Sequence, residues 1–540
     1  MQQIEDWIVW AARNRLNTIF LHTIDDKLAM GAAPESQWLA RRDVAVPLVQ
    51  ERGLILEHGG HGLSSLLPRH LFKKMPQAFR YRDGRRSPDH NFCPNSPAGL
   101  EVIRRSAEAH FRSHPEAHVF HLWPDDIPGG GWCSCELCRD YTAAEQSLLA
   151  VNAVAEVLET VNPSAQISWL AYHDTEEVSA KVRPRRNVCL LWAPRKRCYA
   201  HATDDVDCRV NVPHYCRTFR AQVEYFRAFG ASPARAFEYY LDAILFKSLL
   251  PPLPSVMHRD LRFYRESGAH TVQALMTGDR PWIAPKLDVW LFSRLAWNPN
   301  ADLDSLIAGF CRATFGSDSP HLPAYYRTLE SAFSLALDLV PEQVRLEFDL
   351  RPGQLLERPP VDMGDPVHAP ANVLHRKAQE NAAISHLLQR AADHLEAAKP
   401  TCSTAAWMAE RNVFDLTQAW LRFDLSRLRL YAALHAGPVL DDARDHLKRA
   451  RGYLGEVLRW GRKHISDPRL RRNFAALHRL FWGLRLSKIE REHFTPPWRR
   501  PLVRTWNLAR LGWMFLRLRG MYEPGRRAAG STGSGPASEG

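Results

Sequence analysis

Short apolar segments recur through the first 280 residues of this 540-residue chain, and their spacing is the strongest constraint on its fold. Helical patterns separate several of them, most clearly at residues 144–161. The eight segments are 17–23, 53–61, 90–94, 118–126, 167–174, 187–195, 235–243 and 271–278. Strands that alternate with helices predict a parallel sheet. Because eight strands are expected and no glycine-rich phosphate turn follows the first, we predict an α/β fold, a (β/α)8 TIM barrel over residues 1–345.

Beyond the predicted barrel, the pattern changes to long amphipathic helices. Residues 346–373 are rich in proline and predict a connector, and residues 374–495 predict a helical bundle. Residues 496–524 predict a basic amphipathic helix. Its apolar stripe favours docking on the bundle, with contact of residues 496–522 with an anionic membrane surface as the alternative. The small, polar residues 525–540 predict a disordered tail.

Composition narrows the classes of partner. The net charge is +12, but arginine is concentrated in the C-terminal third, so no nucleic-acid partner is expected. No apolar run approaches the roughly 18 residues that cross a bilayer. The first residues carry Glu5 and Asp6 and lack a secretory signal. We therefore expect a cytoplasmic location for the chain as it begins here, unless an upstream leader precedes this start.

The ends of the predicted strands carry carboxylates, histidines and aromatic residues. In a TIM barrel, the active site gathers at the C-terminal ends of the strands. The residues at those ends are His58, His61, Asp125, Asp126, Tyr172, His173, Asp174, Trp192, Arg195, Glu238, Tyr239, Tyr240 and Asp242. Aromatic faces stack on sugar rings and carboxylates perform acid/base work, so this set predicts a cleft for a carbohydrate. Ordinary core packing of the histidines and aromatic rings is the alternative.

Asp125 and Asp126 are the candidate catalytic pair. Two neighbours at the end of a strand point in different directions, so one can face a leaving-group oxygen while the other contacts another part of the substrate. A turn or a helix cap is the alternative, since Asp-Asp before Pro-Gly is common in loops.

Three cysteines follow this pair closely. Cys133, Cys135 and Cys138 offer three soft ligands from one turn, and tetrahedral zinc needs a fourth. Candidates for the fourth are Cys198, Cys208, Cys216 and His201. A structural zinc site is one interpretation; free thiols or disulfides are the other. A catalytic metal is disfavoured, because thiolate-rich sites are normally closed.

Several motifs in this order resemble a known family. They are residues 59–97, "WPDDI" with the following "WCSCELC", "LAYHDTEE", "NVCLLWAPRKRCYAHATDDVDCRVN", "FEYYLDA" and "RLAWNPNADLDSLIAGF". They resemble the family catalogued as a domain of unknown function, DUF4838, part of which is classified as glycoside hydrolase family 163. The resemblance covers roughly residues 10–345. It implies a (β/α)8 barrel and, for family 163 members, an endo-β-N-acetylglucosaminidase acting on complex N-glycans.

"WPDDI" also resembles the Asp-Asp pair of family 84 hexosaminidases and the Asp-Glu pair of family 20. That resemblance implies a retaining, substrate-assisted mechanism without a cofactor, in which the acetamido oxygen of the sugar attacks its own anomeric carbon. By order in the related pairs, Asp125 orients the acetamide and Asp126 is the acid, which needs a raised pKa. Glu238 is the rival acid.

The function expected from the sequence is therefore a glycoside hydrolase acting on β-linked N-acetylhexosaminides. The alternative is a non-catalytic carbohydrate-binding or scaffold barrel whose basic helical region contacts a membrane or a partner.

Overall fold

The computed structural model describes residues 3–24, 33–127, 129–242, 245–247, 249, 251–277, 286–339, 355–359, 365–436 and 440–519. The chain divides into two compact units. The first unit comprises residues 1–344 with 387–409, and the second comprises residues 345–386 with 410–540. Residues 387–409 thus group with the sheet, whereas the sequence pattern alone groups them with the helices around them.

A parallel sheet forms the core of the first unit. The strands are β1 Thr18–Ile24, β2 Ala33–Pro34, β3 Ile55–Gly60, β4 Tyr81–Arg82, β5 Arg85–Arg86, β6 Val119–Leu122, β7 Gln166–Ala171, β8 Val188–Trp192, β9 Ser232–Asp242 and β10 Ala269–Thr277. The spatial order is β10-β9-β8-β7-β6-β3-β1-β2, and β4 pairs with β5 in a separate hairpin. Seven predicted segments are therefore strands of this sheet, and the two-residue β2 extends its edge.

The predicted strand at residues 90–94 is wrong. Within it, Phe92 makes only an isolated bridge with Phe79. The segment is short and ends in Pro94, which has no N–H to donate to a ladder. Among the described residues, β10 pairs with β9 alone, so the sheet is a curled half-barrel of seven parallel strands with a short edge strand, and the predicted closed eight-stranded barrel is not observed.

Helices connect the strands and then dominate the chain. In chain order they are α1 Gln3–Arg13, α2 Glu35–Leu39, α3 Arg42–Glu51, α4 Pro97–Ser113, α5 Ala143–Val161, α6 Arg217–Ala228, α7 Pro254–Glu266, α8 Lys286–Trp297, α9 Leu303–Phe315, α10 His321–Leu337, α11 Ala371–Glu380, α12 Ile384–Ala398, α13 Thr404–His435, α14 Leu440–His464, α15 Pro468–His478, α16 Leu484–Ile489 and α17 Arg500–Arg519. None of these described helices combines the length and apolar character needed to span a bilayer.

Helix α5 shows how local sequence places the site. Its first turn is closed by a capping box, in which the Thr142 side chain accepts from the Glu145 N–H at 3.2 Å and Glu145 accepts from the Thr142 N–H at 2.9 Å. Leu148, Val151 and Leu158 are buried against the outer face of the sheet. Because the cap fixes where α5 begins, it also fixes where the loop that follows β6 must end.

A buried polar cluster fills the inside of the curled sheet. Glu57 of β3 accepts from Arg235 of β9 at 2.6 Å, and Gln273 of β10 donates to the same carboxylate. His121 of β6 lies 2.9 Å from Glu57 through Nε2 and 2.7 Å from Ser168 of β7 through Nδ1. Burial opposes the charge of Glu57, but these partners outweigh it and lower the pKa of the carboxyl below its usual range. In the sheet, β3 is separated from β9 and β10 by three or more strands. Side-chain contacts between them across the inner face therefore show that the sheet curls.

Two glycines at the end of β3 allow the strands to approach closely. Gly59 has φ +124, a region that L side chains rarely adopt, and a Cβ there would lie 2.0 Å from the His121 carbonyl oxygen. A Cβ on Gly60 would lie 2.4 Å from the His22 ring. The pair is therefore required by sterics, since a side chain at Gly59 would meet β6 and one at Gly60 would meet β1.

The second unit contains buried arginines. Arg427 of α13 is 2% exposed, lies 3.0 Å from Asp365 and stacks 4.3 Å from the centre of the Trp482 ring. Leu355 and Leu356 pack with Leu480, Leu484 and Leu511, so the described part of the proline-rich segment belongs to a core. On and beside α17, Trp498, Leu502 and Trp506 are exposed. The predicted tail at residues 525–540 lies outside the described residues.

The glycine at position 59 should be irreplaceable. Gly59→Ala should destabilise the first unit by at least about 3 kcal/mol, because the added methyl group meets backbone that cannot move aside. Gly53→Ala is the matched control: Gly53 also has a positive φ, but nothing lies within 4 Å of its Cβ position, so only strain of about 1–2 kcal/mol is expected. Urea unfolding followed by tryptophan fluorescence measures both, and equal losses would contradict the steric explanation.

Candidate active site

The loop after β6 carries the two aspartates, and each has its own neighbours. Asp125 Oδ1 accepts a hydrogen bond from Ser64 Oγ at 2.5 Å, and its backbone N–H donates to Asn91 Oδ1 at 3.0 Å. Arg69 and His90 each have a nitrogen within 4.0 Å of the other carboxylate oxygen. This carboxylate is thus held by the segments that follow β3 and precede α4.

Asp126 faces the segment that follows β7, not the segments that hold Asp125. Tyr172 donates to its Oδ1 at 3.2 Å, and His173 Nε2 lies 4.0 Å from the same oxygen. Partial enclosure by neighbouring side chains opposes ionisation, but His61, His173 and Arg195, with the Tyr172 hydrogen bond, outweigh it and lower the pKa of Asp126 below its ordinary value. The predicted raised pKa is therefore wrong for Asp126, which is held as a carboxylate.

Aromatic rings surround Asp126. His61 donates through Nδ1 to the Pro124 carbonyl at 2.5 Å, since a carbonyl can only accept. Its ring lies edge-on to Trp123 at 5.2 Å and 6.3 Å from the ring of Tyr172. Burial, together with the charges of His61 and His121, lowers the pKa of the adjacent His22 to about 3. Imidazole rings and aromatic faces therefore border the carboxylate, and the His22 imidazole is neutral at physiological pH.

His173 combines several unusual features. It has φ +56, a left-handed conformation that is uncommon for a residue other than glycine and often marks a functional site. Burial and the nearby Lys196 lower its pKa to about 3. Its Nδ1 is buried, and no described group bonds to it. The imidazole is thus neutral at physiological pH and has one ring nitrogen available.

Arg195, Tyr239 and Asp242 complete this side of the site. Arg195 forms an ion pair with Asp242, and its guanidinium lies 5.1 Å from the centre of the Tyr239 ring. Asp242 is fully buried, whereas Arg195 keeps 21% of its side chain exposed. The buried carboxylate therefore fixes the guanidinium, which in turn contributes to the lowered pKa of Asp126.

An open pocket lies beside the aspartates. It is lined by Asn91, Pro124, Asp125, Ile127, Gly131, Trp132, Leu170, Tyr172, Asp174 and Thr175. Asp174 accepts from the Gly130 N–H at 3.3 Å, yet partial burial outweighs this bond and raises the pKa of the Asp174 carboxyl above its ordinary value. The pKa values of Asp126 and Asp174 are therefore shifted in opposite directions.

Glu238 and Tyr240 do not join this site. Side chains alternate along β9, so Tyr239 and Glu238 lie on opposite faces of the sheet. Glu238 is fully buried, 3.2 Å from Arg197 and 2.9 Å from the hydroxyl of Tyr199, and Tyr264 of α7 also donates to it. Burial raises the pKa of Glu238, as a general acid requires, but the carboxyl is enclosed and a substrate cannot reach it.

His58 and Trp192 also lie away from the pocket. His58 is 1% exposed and stacks on His114 at 4.1 Å. Trp192 is fully buried and packs on Phe219 of α6 at 5.8 Å. Their placement as sugar-contacting residues is wrong, because both side chains point to the helical layer outside the sheet.

Six of the cysteines lie in two groups, and none of the ten, all of which lie among the described residues, forms a disulfide. Cys133, Cys135 and Cys138 are joined by Cys93, which was not among the expected fourth ligands. Cys198 and Cys208 instead lie with His201 in a separate group, and Cys216 is in neither group.

Sequence reasoning missed several residues of the site, including Ser64, Asn91 and Trp132. Asn91 lies in the segment mistaken for a strand, which concealed that this segment is a loop beside the pocket. The signal that could have found it is Cys93, because a fourth cysteine near the Cys133–Cys138 cluster implies that the two loops meet. Ser64 has no comparable signal, since it lies in a short 3₁₀ turn, Leu63–Leu66, after β3.

Comparison with known proteins identifies a family. Residues 24–327, more than half of the chain, match the family described as "Domain of unknown function (DUF4838)". No curated protein sequence matches the chain.

Solved structures give weaker similarities. A variant of an O-GlcNAc hydrolase from Thermobaculum terrenum is 15% identical, with 92% of this chain and 95% of that one covered and a TM-score of 0.42. A GH138 enzyme targeting pectin rhamnogalacturonan II is 9% identical, with 96% and 79% covered and a TM-score of 0.49. A GH89 protein from Clostridium perfringens, bound to GlcNAc-α-1,4-galactose, is 11% identical, with 94% and 56% covered and a TM-score of 0.45. Scores below 0.5 are too low to establish a common activity.

The enclosed network around Glu238 should be structural. Arg197→Ala should lower the free energy of unfolding of the first unit by about 3–5 kcal/mol, because it leaves the buried carboxyls of Glu238 and Asp260 without their cation. Arg104→Ala removes an exposed ion pair with Glu156 and should cost no more than about 1 kcal/mol. Denaturant unfolding compares the two variants, and equal losses would show that the buried network does not stabilise the unit.

Proposed function

The chain belongs to the DUF4838 family, and we propose that it is a glycoside hydrolase that cleaves β-linked N-acetylhexosaminides by a retaining, substrate-assisted mechanism. The observation that carries this proposal is the set of carboxyl groups around one pocket. Asp125 and Asp174 line the pocket. Asp126 lies beside it and accepts a hydrogen bond from the Tyr172 hydroxyl. Glycoside hydrolysis needs carboxyl groups in different protonation states, and those of Asp126 and Asp174 are shifted in opposite directions.

Substrate recognition follows from the lining of the pocket. Tyr172 lines the pocket and is partly exposed, so its ring offers flat apolar surface on which a sugar ring can lie. Asn91 also lines the pocket, and its side-chain amide is a group that can hydrogen-bond sugar hydroxyls. The resemblance of "WPDDI" to the aspartate pairs of known hexosaminidases supports the choice of an N-acetylated sugar.

In the first step, the acetamido oxygen of the sugar attacks the anomeric carbon and forms an oxazolinium ring, while the bond to the leaving group breaks. The Asp125 carboxylate, which Ser64 holds in place, accepts a hydrogen bond from the acetamide N–H and so orients the acetamide group. Asp126 is ionised and stabilises the positive charge that develops on the ring. No nucleophile from the protein is required, so the usual separation rule for two carboxylates does not apply.

The proton for the leaving oxygen comes from Asp174 in this proposal. A general acid must be protonated before the reaction and accessible to the substrate. Asp174 lines the pocket, and partial burial shifts the pKa of its carboxyl upward, the direction that a general acid requires. In the second step, the Asp174 carboxylate takes a proton from the water that opens the oxazolinium ring, which restores the enzyme and retains the anomeric configuration. This assignment replaces Asp126 and Glu238 as the expected acids.

Loss of the ionised carboxylate should abolish most activity. Asp126→Asn should reduce kcat/KM at least about a hundredfold on an aryl β-N-acetylglucosaminide and on a complex N-glycopeptide. Glu177→Gln is the matched control, an exposed carboxylate on the loop of Asp174 that does not line the pocket. Unchanged turnover in Asp126→Asn would remove Asp126 from the mechanism. Binding of N-acetylglucosamine without turnover by the wild type would favour a carbohydrate-binding barrel.

The pH profile should separate the two roles. Asp174 must be protonated, so kcat/KM should fall as pH rises through its raised pKa. Asp126 must be ionised, so kcat/KM should also fall as pH drops through its lowered pKa. Asp174→Asn should remove the fall of kcat/KM at alkaline pH. The variant should also lose far more activity on substrates with poor leaving groups than on dinitrophenyl glycosides, because a dinitrophenolate leaves without protonation. An alkaline limb that persists in this variant would assign the acid elsewhere.

A further inference from the structure

We propose that Cys93, Cys133, Cys135 and Cys138, here called the four-cysteine cluster, bind a structural zinc ion. All four Sγ atoms lie within 4.8 Å of one another, with Cys93 at 3.7 Å from Cys135 and 3.5 Å from Cys138. Four thiolates around tetrahedral zinc, with Zn–S bonds of about 2.3 Å, have sulfur atoms roughly 3.8 Å apart. The cluster thus has the ligand number and the spacing of a zinc site built from four thiolates.

The same distances argue against disulfides. A disulfide joins sulfur atoms about 2.0 Å apart, whereas Cys93 and Cys138 have their sulfur atoms 3.5 Å apart. The four cysteines are each at most 8% exposed and lie against one another, so four sulfur atoms share one enclosed place. A soft divalent cation is the ligand that holds four close sulfur atoms together.

Neighbouring donors are arranged as they are around metal thiolates. The Tyr81 N–H donates to Cys133 Sγ at 3.3 Å, and the Asn95 side chain donates to Cys138 Sγ at 3.5 Å. The Arg86 guanidinium lies 3.8 Å from Cys133 Sγ. Such donors orient sulfur ligands and offset the negative charge of four thiolates around one ion. Because the sulfur atoms are enclosed and use all tetrahedral positions, the ion would be structural.

The four cysteines form a buried cluster of their own, and Tyr81 packs against it. Phe92 and Trp132, the chain neighbours of Cys93 and Cys133, are buried in the main core of the first unit and so hold the two loops together beside the cluster. Gln146 of α5 adds an anchor, since its side chain donates to the Cys133 carbonyl at 2.9 Å and accepts from the Cys133 N–H at 3.0 Å.

The ion would also shape the pocket. Cys93 lies two residues after Asn91, which accepts from the Asp125 N–H at 3.0 Å. Cys133 follows Gly131 and Trp132, which also line the pocket. The cluster therefore connects the two loops that contribute these residues, and its role as a metal site does not depend on the reaction proposed above.

The test is the zinc content of the full-length chain, purified without chelators and measured by inductively coupled plasma mass spectrometry. Wild type should carry zinc, and Cys93→Ser and Cys135→Ser should each lose one equivalent per chain. Cys402→Ser is the control, a free cysteine outside both groups, and should keep the wild-type content. Wild type without zinc, or Cys93→Ser with the full content, would overturn the proposal.

A second variant separates the two groups of ligands. Cys198, His201 and Cys208 could hold an ion of their own. The Cys208→Ser variant should therefore retain the equivalent of zinc that the Cys93→Ser variant loses. Zinc lost from Cys208→Ser but not from Cys93→Ser would assign the metal to the other group and refute the proposal.

Thiol reactivity of the wild type keeps the proposal testable if the variants do not fold. With zinc bound, the four cysteines should resist a disulfide reagent, and a strong chelator should expose four additional thiols and lower the thermal midpoint. Replacement by Co²⁺ should give the intense absorption of tetrahedral thiolate coordination. A thiol count that chelation does not change, with a mass two hydrogens lower per bridge, would indicate disulfides and overturn the zinc site.

Discussion

The buried charge of Glu57 is the constraint on which the first unit depends. It lies inside the curled sheet, fully excluded from solvent, and its partners come from β6, β9 and β10. An unpaired carboxylate in such a place would cost several kcal/mol, so the strands that supply Arg235, His121 and Gln273 must stay where they are. The cluster therefore fixes the curvature of the sheet, and the curvature brings the ends of β6, β7 and β8 to one site.

The site above this cluster depends on alternation along the strands. Tyr239 faces the inside of the sheet, whereas Glu238 and Tyr240 face the helices and form the Arg197 network. Two residues adjacent in sequence thus have unrelated roles, one beside the pocket and one in the outer core. Trp192 also packs against the helices, whereas Arg195 lies beyond the end of β8, so a strand-end position alone does not make a residue part of the site.

Opposite pKa shifts in Asp126 and Asp174 arise from their different neighbours. Asp126 faces Arg195, two histidines and a tyrosine hydroxyl, which together favour the ionised form. Asp174 is partly enclosed and receives little more than one backbone hydrogen bond. The Gly130 N–H that bonds to Asp174 belongs to the same loop as Asp126, so the loops that follow β6 and β7 meet at the pocket.

The sequence by itself determined the parallel α/β sheet, seven of its strands and the aspartate pair, because burial on both faces leaves apolar runs that are visible without a structure. It also showed three members of the cysteine cluster, which lie within six positions. Only the tertiary structure decided that the sheet stays a half-barrel among the described residues, and that Cys93 is the fourth cysteine of the cluster. It likewise decided that Asp126 is the ionised carboxyl and that Glu238 is enclosed. These features depend on contacts between residues far apart in the chain, and on which face of a strand a side chain occupies, and neither leaves a local pattern in the sequence.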